Sequence, residues 1–416
     1  MKRKEHLPVI ILLVVIFTAT PMAIRAQMKI GQYLDEAPFR TWNNLGISSG
    51  RTLGMGNVRF AMPSDISAAL VNPALLTEYP KLTFSVSGSI NTASIYRYGI
   101  VNTGVLFSQN GNFLARQFLF DQAGLTFNWN KWGLGINFGA LETYIRPSAL
   151  YEEEWRGSSY YTMEYLQKGL LHNLNFSLAK KISSFFSIGV GINSVFGNWE
   201  KSVVEDWPQF GRRITDKKSQ NFKGIFFNAG FMFHLNEKWL LSAIIRSPFT
   251  KKGDAQSLLR YEDPTGNTDI QIQAAAQNTY NMPLVLGVGT SYSFSERFRA
   301  GADISFFNWS KYTFRYFDED FDRSFKDIIK VNAGLEYFNF IMLFRKRIKT
   351  FLRTGLIYDP QPIQDPDSHY LYLTLGTGFR LGKFVLDIGM MIGKEYGSGN
   401  GLFAQKSIIT ATYEYD

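Results

Sequence analysis

Apolar and polar residues alternate along most of this chain. Neighbouring residues on a strand point to opposite faces, so each alternating run assigns its side chains to two walls. Leu371, Leu373, Leu375, Phe379 and Leu381 fall on one face, and Tyr370, Tyr372, Thr374, Gly376, Gly378 and Arg380 on the other. Phe384, Leu386, Ile388, Met390 and Ile392 oppose Asp387, Gly389 and Gly393 in the same way. Phe186, Ile188, Val190 and Ile192 oppose Ser187, Gly189, Gly191 and Asn193. From Tyr79 to Asp416 the pattern yields about fourteen such segments. They meet at tight junctions such as Asn130-Lys131, Ser183-Ser184, Asn236-Glu237-Lys238, Ser295-Glu296 and Leu381-Gly382-Lys383. Between those junctions lie long polar excursions near 147–168, 199–218, 253–267, 314–326 and 359–368. Short turns on one side and long connections on the other predict an all-β, about 14-stranded antiparallel transmembrane β-barrel. A soluble sandwich would alternate too, but does not account for so many strands without helices behind an export leader.

The leader reads from Lys2-Arg3-Lys4 through the apolar stretch Leu7 to Phe17 to a cleavage point at Ala26-Gln27. The apolar stretch is too short for a membrane anchor and contains Pro8. The expected organisation is a signal peptide over 1–26, an N-terminal extension and hatch over 27–78, and the barrel over 79–416. The expected location is the bacterial outer membrane, reached by a cleaved signal.

Composition sharpens this picture at three points. Hydrophobic residues make up 45% and aromatic ones 16%, which suits a wall that hides its apolar content in alternation and is girdled by aromatic rings. Cysteine is absent, which removes disulfides, thiol catalysis and Cys-based metal sites. Of the formal net charge of +9, +3 belongs to Lys2, Arg3, Lys4 and Arg25 against Glu5. The remaining +6 is spread over loops without a dense basic stripe, so no nucleic-acid partner is expected. His172, His234 and His369 lie far apart without a Ser/Asp arrangement around them, so no enzyme is expected. Asp318, Glu319, Asp320 and Asp322 lack the glycine and trailing glutamate of a calcium loop, and neither metal nor cofactor is expected.

The polar wall carries charges of both signs close to the tight turns: Arg299, Asp303, Glu336, Arg353, Arg380 and Asp387. Such a ring would hold a plug through hydrogen bonds and ion pairs, or stand solvated in an open lumen. The piece that could be held is Arg51-Thr52-Leu53-Gly54-Met55-Gly56-Asn57-Val58 with Asp65 to Leu76. Gly54 and Gly56 permit close backbone approach. Asp65 is placed to cap a short helix, and Pro73 to end it.

This segment resembles the hatch of the FadL-type long-chain fatty acid transporters, a family that includes TodX-like hydrocarbon channels. Gly54, Gly56, Asp65, Asn72, Pro73 and Ala74 occupy the places of its Gly-rich and Asn-Pro-Ala motifs. Phe227-Asn228-Ala229-Gly230-Phe231 through Arg246-Ser247-Pro248-Phe249, Met282-Pro283 through Asn308-Trp309-Ser310, and Leu352-Arg353-Thr354-Gly355 through Asp359-Pro360 continue the likeness in order. The resemblance implies passive uptake of hydrophobic compounds, with capture among the external loops and sideways exit through the wall at a kinked third strand. Here that strand runs from Trp132 to Arg146, and Gly139 is the candidate opening, although a glycine there could equally make room for the plug. Trp207 and Phe210, with Arg212 and Arg213 beside them, are the candidate capture residues for an amphipathic carboxylate; contact with neighbouring loops and lipopolysaccharide is the blander reading. The expected partners are hydrophobic small molecules (fatty acids, hydrocarbons), outer-membrane lipid and lipopolysaccharide, and the expected state is a monomer. A barrel of this shape could instead serve as a scaffold or shuttle component of a secretion machinery, without transport.

Overall fold

The computed structural model describes residues 46–63, 65–95, 113–144, 146–155, 158–263, 265, 268–317, 319–321, 325–343, 346–364, 367–397 and 403–415. The leader and most of the N-terminal extension lie outside the described residues. The described strands form one closed antiparallel sheet of fourteen barrel strands. They are β1 (Leu82–Ile95), β2 (Phe113–Trp129), β3 (Trp132–Thr143, continued by Arg146–Trp155) and β4 (Ser158–Lys181). Next come β5 (Phe186–Trp207), β6 (Arg212–His234), β7 (Trp239–Arg246, continued by Phe249–Glu262) and β8 (Thr268–Met282, continued by Val285–Ser293). The rest are β9 (Phe298–Phe307, continued by Thr313–Tyr316), β10 (Ile328–Leu343), β11 (Lys346–Pro360), β12 (His369–Leu381), β13 (Phe384–Tyr396) and β14 (Phe403–Tyr415). Closure is made by β1 against β14, in register from Leu82↔Tyr415 to Ala93↔Ala404.

Alternation decides which wall each side chain joins. Leu371, Leu373 and Leu375 are exposed on the outside, while Tyr370, Tyr372 and Thr374 are buried toward the lumen. Lipid meets the first set, which is why those large apolar groups stand bare of protein. At the short-turn rim, Trp129, Trp132, Trp239 and Tyr415 are exposed. Lys180 sits 4.5 Å over the Trp132 ring and Lys383 3.9 Å over the Tyr415 ring. Amphipathic rings beside snorkelling lysines are what an interfacial girdle requires.

Three of the five long connections differ from the sequence expectation. Those near 147–168, 199–218 and 253–267 run largely as hairpin ladders rather than loops: β4 alone has 24 residues, and β5 pairs with β6 as far as Trp207↔Arg212. About ten residues suffice to cross the membrane, so these strands run on well beyond it.

The wall is interrupted beside β3. The β2–β3 ladder stops at Gln122↔Gly139, so the outer half of β2 has no described pairing with β3. Bulges lie on both sides of that stop: β2 carries Asp121 as an extra residue against β1, and β3 carries Leu141 as an extra residue against β4. Bulges bend a strand and end its pairing.

Candidate functional site: the lumen and its contents

The described residues that precede β1, 46–63 and 65–79, lie inside the barrel. Helix α1 (Gly50–Gly54) packs against β12, β13 and β14, and helix α2 (Ile66–Ala69) against β1, β2 and β3. A 3₁₀ turn, Pro73–Glu78, packs against β4, β5 and β6. Asp65 caps α2, accepting from the Ser67 N–H at 2.8 Å. Pro73, expected to end that helix, opens the 3₁₀ turn, where its fixed φ and missing N–H suit a first position. Asn72 is the cap of that turn: its Oδ1 accepts from the Ala74 N–H at 3.1 Å and its Nδ2 donates to the Phe60 carbonyl at 2.6 Å. Ala74 is fully buried beside Leu75 and Met232.

The wall is cut to this segment. Gly54 lies against Gly376, the Met55 backbone against Gly334, and Gly56 against Gly355; a Cβ on Gly54 would come within 2.8 Å of the Gly376 Cα, and one on Gly355 would overlap the Gly56 backbone. Thr374 Oγ1 accepts from the Gly56 N–H at 2.9 Å, and Thr410 Oγ1 accepts from the Gly50 N–H at 2.8 Å. Asn228 donates to the Leu70 carbonyl at 2.9 Å, and Ser291 to the Ala61 carbonyl at 2.8 Å. The wall thus supplies polar partners for backbone groups that the short helices leave unpaired.

Charges complete the attachment. Glu336, with its side chain fully buried, receives Arg51 at 3.1 Å, Arg299 at 2.6 Å and Arg353 at 2.7 Å. Arg353 also reaches Asp387 at 2.7 Å. Asp303 accepts from the Arg59 and Phe60 backbone N–H groups at 2.7 and 3.0 Å. Burial pulls the Arg59 guanidinium down to about 10, opposed by Asp303 and Asp65, so it stays charged at neutral pH. Of the six wall charges expected from sequence, Asp303 and Glu336 therefore touch the segment directly. Arg299, Arg353 and Asp387 join through the same cluster. Arg380 stands apart, paired with Glu414 at 2.5 Å. Arg51, the segment's own contribution, carries no signal in the sequence: its place three residues before Gly54 gives no sign of a partner in β10.

Above this floor is a cavity of about 190 Å³. Arg59, Phe60, Leu70 and Val71 form its base, and Leu141, Phe226, Ile244, Phe249, Met282 and Phe307 much of its wall. Toward the outside, Tyr144, Trp199, Phe222, Tyr280, Trp309 and Tyr312 pack into one buried aromatic cluster. Three cations from the wall face the space. Lys251 is 3.7 Å from Glu142 and donates to Tyr144 Oη at 3.1 Å. Lys330 is held by Asp359 at 2.6 Å. Arg246 lies 5.8 and 5.9 Å over the Phe226 and Phe307 rings, and its buried Nε finds no hydrogen-bond partner among the described residues.

The candidate capture residues lie elsewhere. Trp207 and Phe210 touch at the tip of the β5–β6 hairpin, ring centroids 6.4 Å apart. Beside them Arg213 pairs with Asp206 at 3.1 Å, and Arg212 stands opposite Trp207 in the ladder. The tip is 14 residues beyond the cavity residue Asn193, roughly 45 Å along the strand. Gly139 is at the last pair of the β2–β3 ladder, and a Cβ there would come within 3.0 Å of Ile47.

Residues 46–407 match the BamG family. The chain belongs to the BamG family. No curated protein matches it in sequence. Solved structures similar to this BamG-family chain are FadL-type and TodX-type barrels. The toluene transporter TbuX of Ralstonia pickettii is 15% identical with a TM-score of 0.60, the match covering 90% of this chain and 100% of that one. A FadL homologue of Pseudomonas aeruginosa is 14% identical with a TM-score of 0.66, over 89% and 98%. The toluene transporter TodX of P. putida is 14% identical with a TM-score of 0.58, over 89% and 99%. The resemblance read from the motifs therefore holds as a likeness of fold, an outer-membrane β-barrel of FadL type.

Proposed function

We propose that this barrel is a passive uptake channel for hydrophobic compounds, long-chain fatty acids or similar amphiphiles among them. In this reading residues 46–79 act as the hatch, the cavity above them is the interior ligand site, and exit is sideways at Gly139. The observation that carries it is the position of Leu141. This bulged residue of β3 lines the cavity and lies just past the point where β2 and β3 cease to pair. A ligand leaving the cavity there would pass into lipid without crossing the hatch.

Chemistry supports an amphiphile rather than a sugar or an ion. The walls are mainly apolar and aromatic, which stabilises a tail, and Arg246 offers a guanidinium edge to a carboxylate. Capture is proposed to begin at Trp207 and Phe210, where an apolar group first meets the protein, with Arg212 and Arg213 near the head. The test compares accumulation of labelled oleate and of labelled toluene in cells with and without the protein, and in cells carrying Leu141→Trp, which fills the exit. Faster accumulation with the protein, reduced by the tryptophan, is expected. Equal accumulation of both compounds in all three strains would overturn the proposal.

A further inference from the structure

Beyond the membrane, β3 to β8 continue as a sheet, and among the described residues that sheet ends at an open edge. β8 is paired with β7 from Thr268↔Glu262 to Met282↔Phe249. On its other side, among the described residues of that outer stretch, only Thr279 to Asn281 are paired, with Arg315 to Thr313 of β9. β9 leaves β8 at Phe317, a non-glycine residue with φ 48, whose N–H donates to Asn278 Oδ1 at 2.8 Å. There the chain reverses into a small hairpin, pairing Phe314–Tyr316 with Glu319–Phe321. A left-handed phenylalanine is strained, and such residues persist where the surroundings or a function require them. Its effect here is to turn the neighbouring strand away and leave Ile270–Gln277, among the described residues, with one row of backbone groups unpaired.

Natural sheets blunt such edges with charge, proline or bulges. Asp269, a charged residue bulged out of the β7–β8 ladder, blunts the outermost end of this edge, but Ile270 to Gln277 reads Ile-Gln-Ile-Gln-Ala-Ala-Ala-Gln, with no charge and no proline. Ile270 and Ile272 are 53% and 54% exposed. They share the lumen-side face with Tyr280, and the register sets Ile270 beside Tyr261 and Ile214, and Ile272 beside Leu259. An apolar strip thus crosses β6 and β7 and runs out to the open edge.

We propose that the free edge of β8, Ile270–Gln277, is a docking site for an extended strand of another polypeptide on the outer side of the membrane. The incoming strand would complete the backbone ladder. Its alternate side chains, apolar and β-branched or aromatic, would continue the strip beyond Ile270 and Ile272, with uncharged polar ones beside Gln271 and Gln273. A second copy of this chain does not fit. Two barrels in one membrane are related by an axis along the membrane normal, which keeps their strands running in the same sense. With strands tilted about 40°, such copies would cross at roughly twice that angle and could not form a ladder.

The experiment follows amide hydrogen exchange of residues 270–277 in two settings: the native outer-membrane fraction, and the purified full-length protein in lipid nanodiscs. A photoreactive side chain at Gln273 is used in parallel. Docking predicts exchange slowed about tenfold or more in the native membrane and a discrete adduct with a different polypeptide at Gln273. Both should be lost in Ile272→Lys/Ala274→Lys, whose folding is checked by heat-dependent gel migration. The two positions are exposed, so the barrel itself should form. Equal exchange in both settings, an adduct of twice the protein's own mass, or protection that survives the lysines would each overturn the proposal. Uptake of oleate or toluene by the lysine variant is expected to be unchanged, which separates this surface from the channel reading.

Discussion

The floor of the lumen and the cavity just above it are built from similar residues to opposite ends. On the floor, glycine meets glycine, the backbone N–H groups of Gly50 and Gly56 find wall hydroxyls, and three guanidinium groups share Glu336 with Asp387 alongside. In the cavity there is space, aromatic surface and a cation, Arg246, whose Nε is buried without a partner among the described residues. A buried charge cluster is costly to break because the remaining members lose their counter-charge. A cation facing an apolar space is instead stabilised when an anion arrives. The first arrangement resists change; the second has room for an occupant.

That contrast is broken most directly at Glu336. Glu336→Gln leaves Arg51, Arg299 and Arg353 crowded around a neutral amide. It should lower the stability of the folded barrel by about 3 kcal/mol, read as a clear fall in the temperature at which the protein shifts to its unfolded position on a gel. Adding Arg51→Gln should restore part of the loss, since it removes one of the repelling cations. A single variant as stable as the native protein would mean that the cluster does not secure the floor.

Gly355→Val tests the shape of the same region without touching its charges. The valine side chain would overlap the backbone at Gly56, and overpacking of this kind costs about 1–3 kcal/mol. The segment is expected to shift before the barrel opens, so leakage of a small hydrophilic dye into the periplasm should rise while the folded gel band persists. Unchanged leakage with an intact fold would show that the wall can give way there.

These two sites also show which features are legible in the sequence and which are not. Alternation places Leu371 and Leu373 outward and Glu336, Arg353 and Asp387 inward, because lipid on one side and a polar lumen on the other impose a period of two. Beyond the membrane both faces are wet and that period fades. The outer parts of β3 to β7 therefore read as loops, and nothing in the pattern marks Ile270–Gln277, which follows them, as an open edge. Gly376 and Gly389 are visible as lumen-facing glycines, but nothing local ties them to Gly54 and Gly50. The fit between them depends on the register of strands more than 300 residues away in the chain. The pairing of Arg51 with Glu336 is hidden for the same reason.

In the cavity, Arg246→Met is the sharper test of the occupant. It keeps much of the side-chain volume over Phe226 and Phe307 and removes the donors. A charge-assisted hydrogen bond is worth about 1.5–3 kcal/mol, so affinity for oleate should fall about tenfold or more while that for toluene, which has no head group, stays within twofold. Equal losses for both ligands would assign Arg246 to packing; no loss for either would remove it from the site.

The smallest effect is expected at the hairpin tip. Trp207 and Phe210 touch each other and stand far from the cavity, with the aromatic cluster of Trp199, Phe222 and Tyr280 in between. Residues that only gather a ligand change the rate of encounter and leave the bound state alone. Trp207→Ser/Phe210→Ser should therefore slow initial uptake of oleate by about twofold, a change the size expected for losing a weak surface contact, and leave equilibrium binding to the purified barrel intact. A loss of binding affinity as large as that of Arg246→Met would mean that the tip folds back over the lumen when ligand is present, and that capture and storage are one site rather than two.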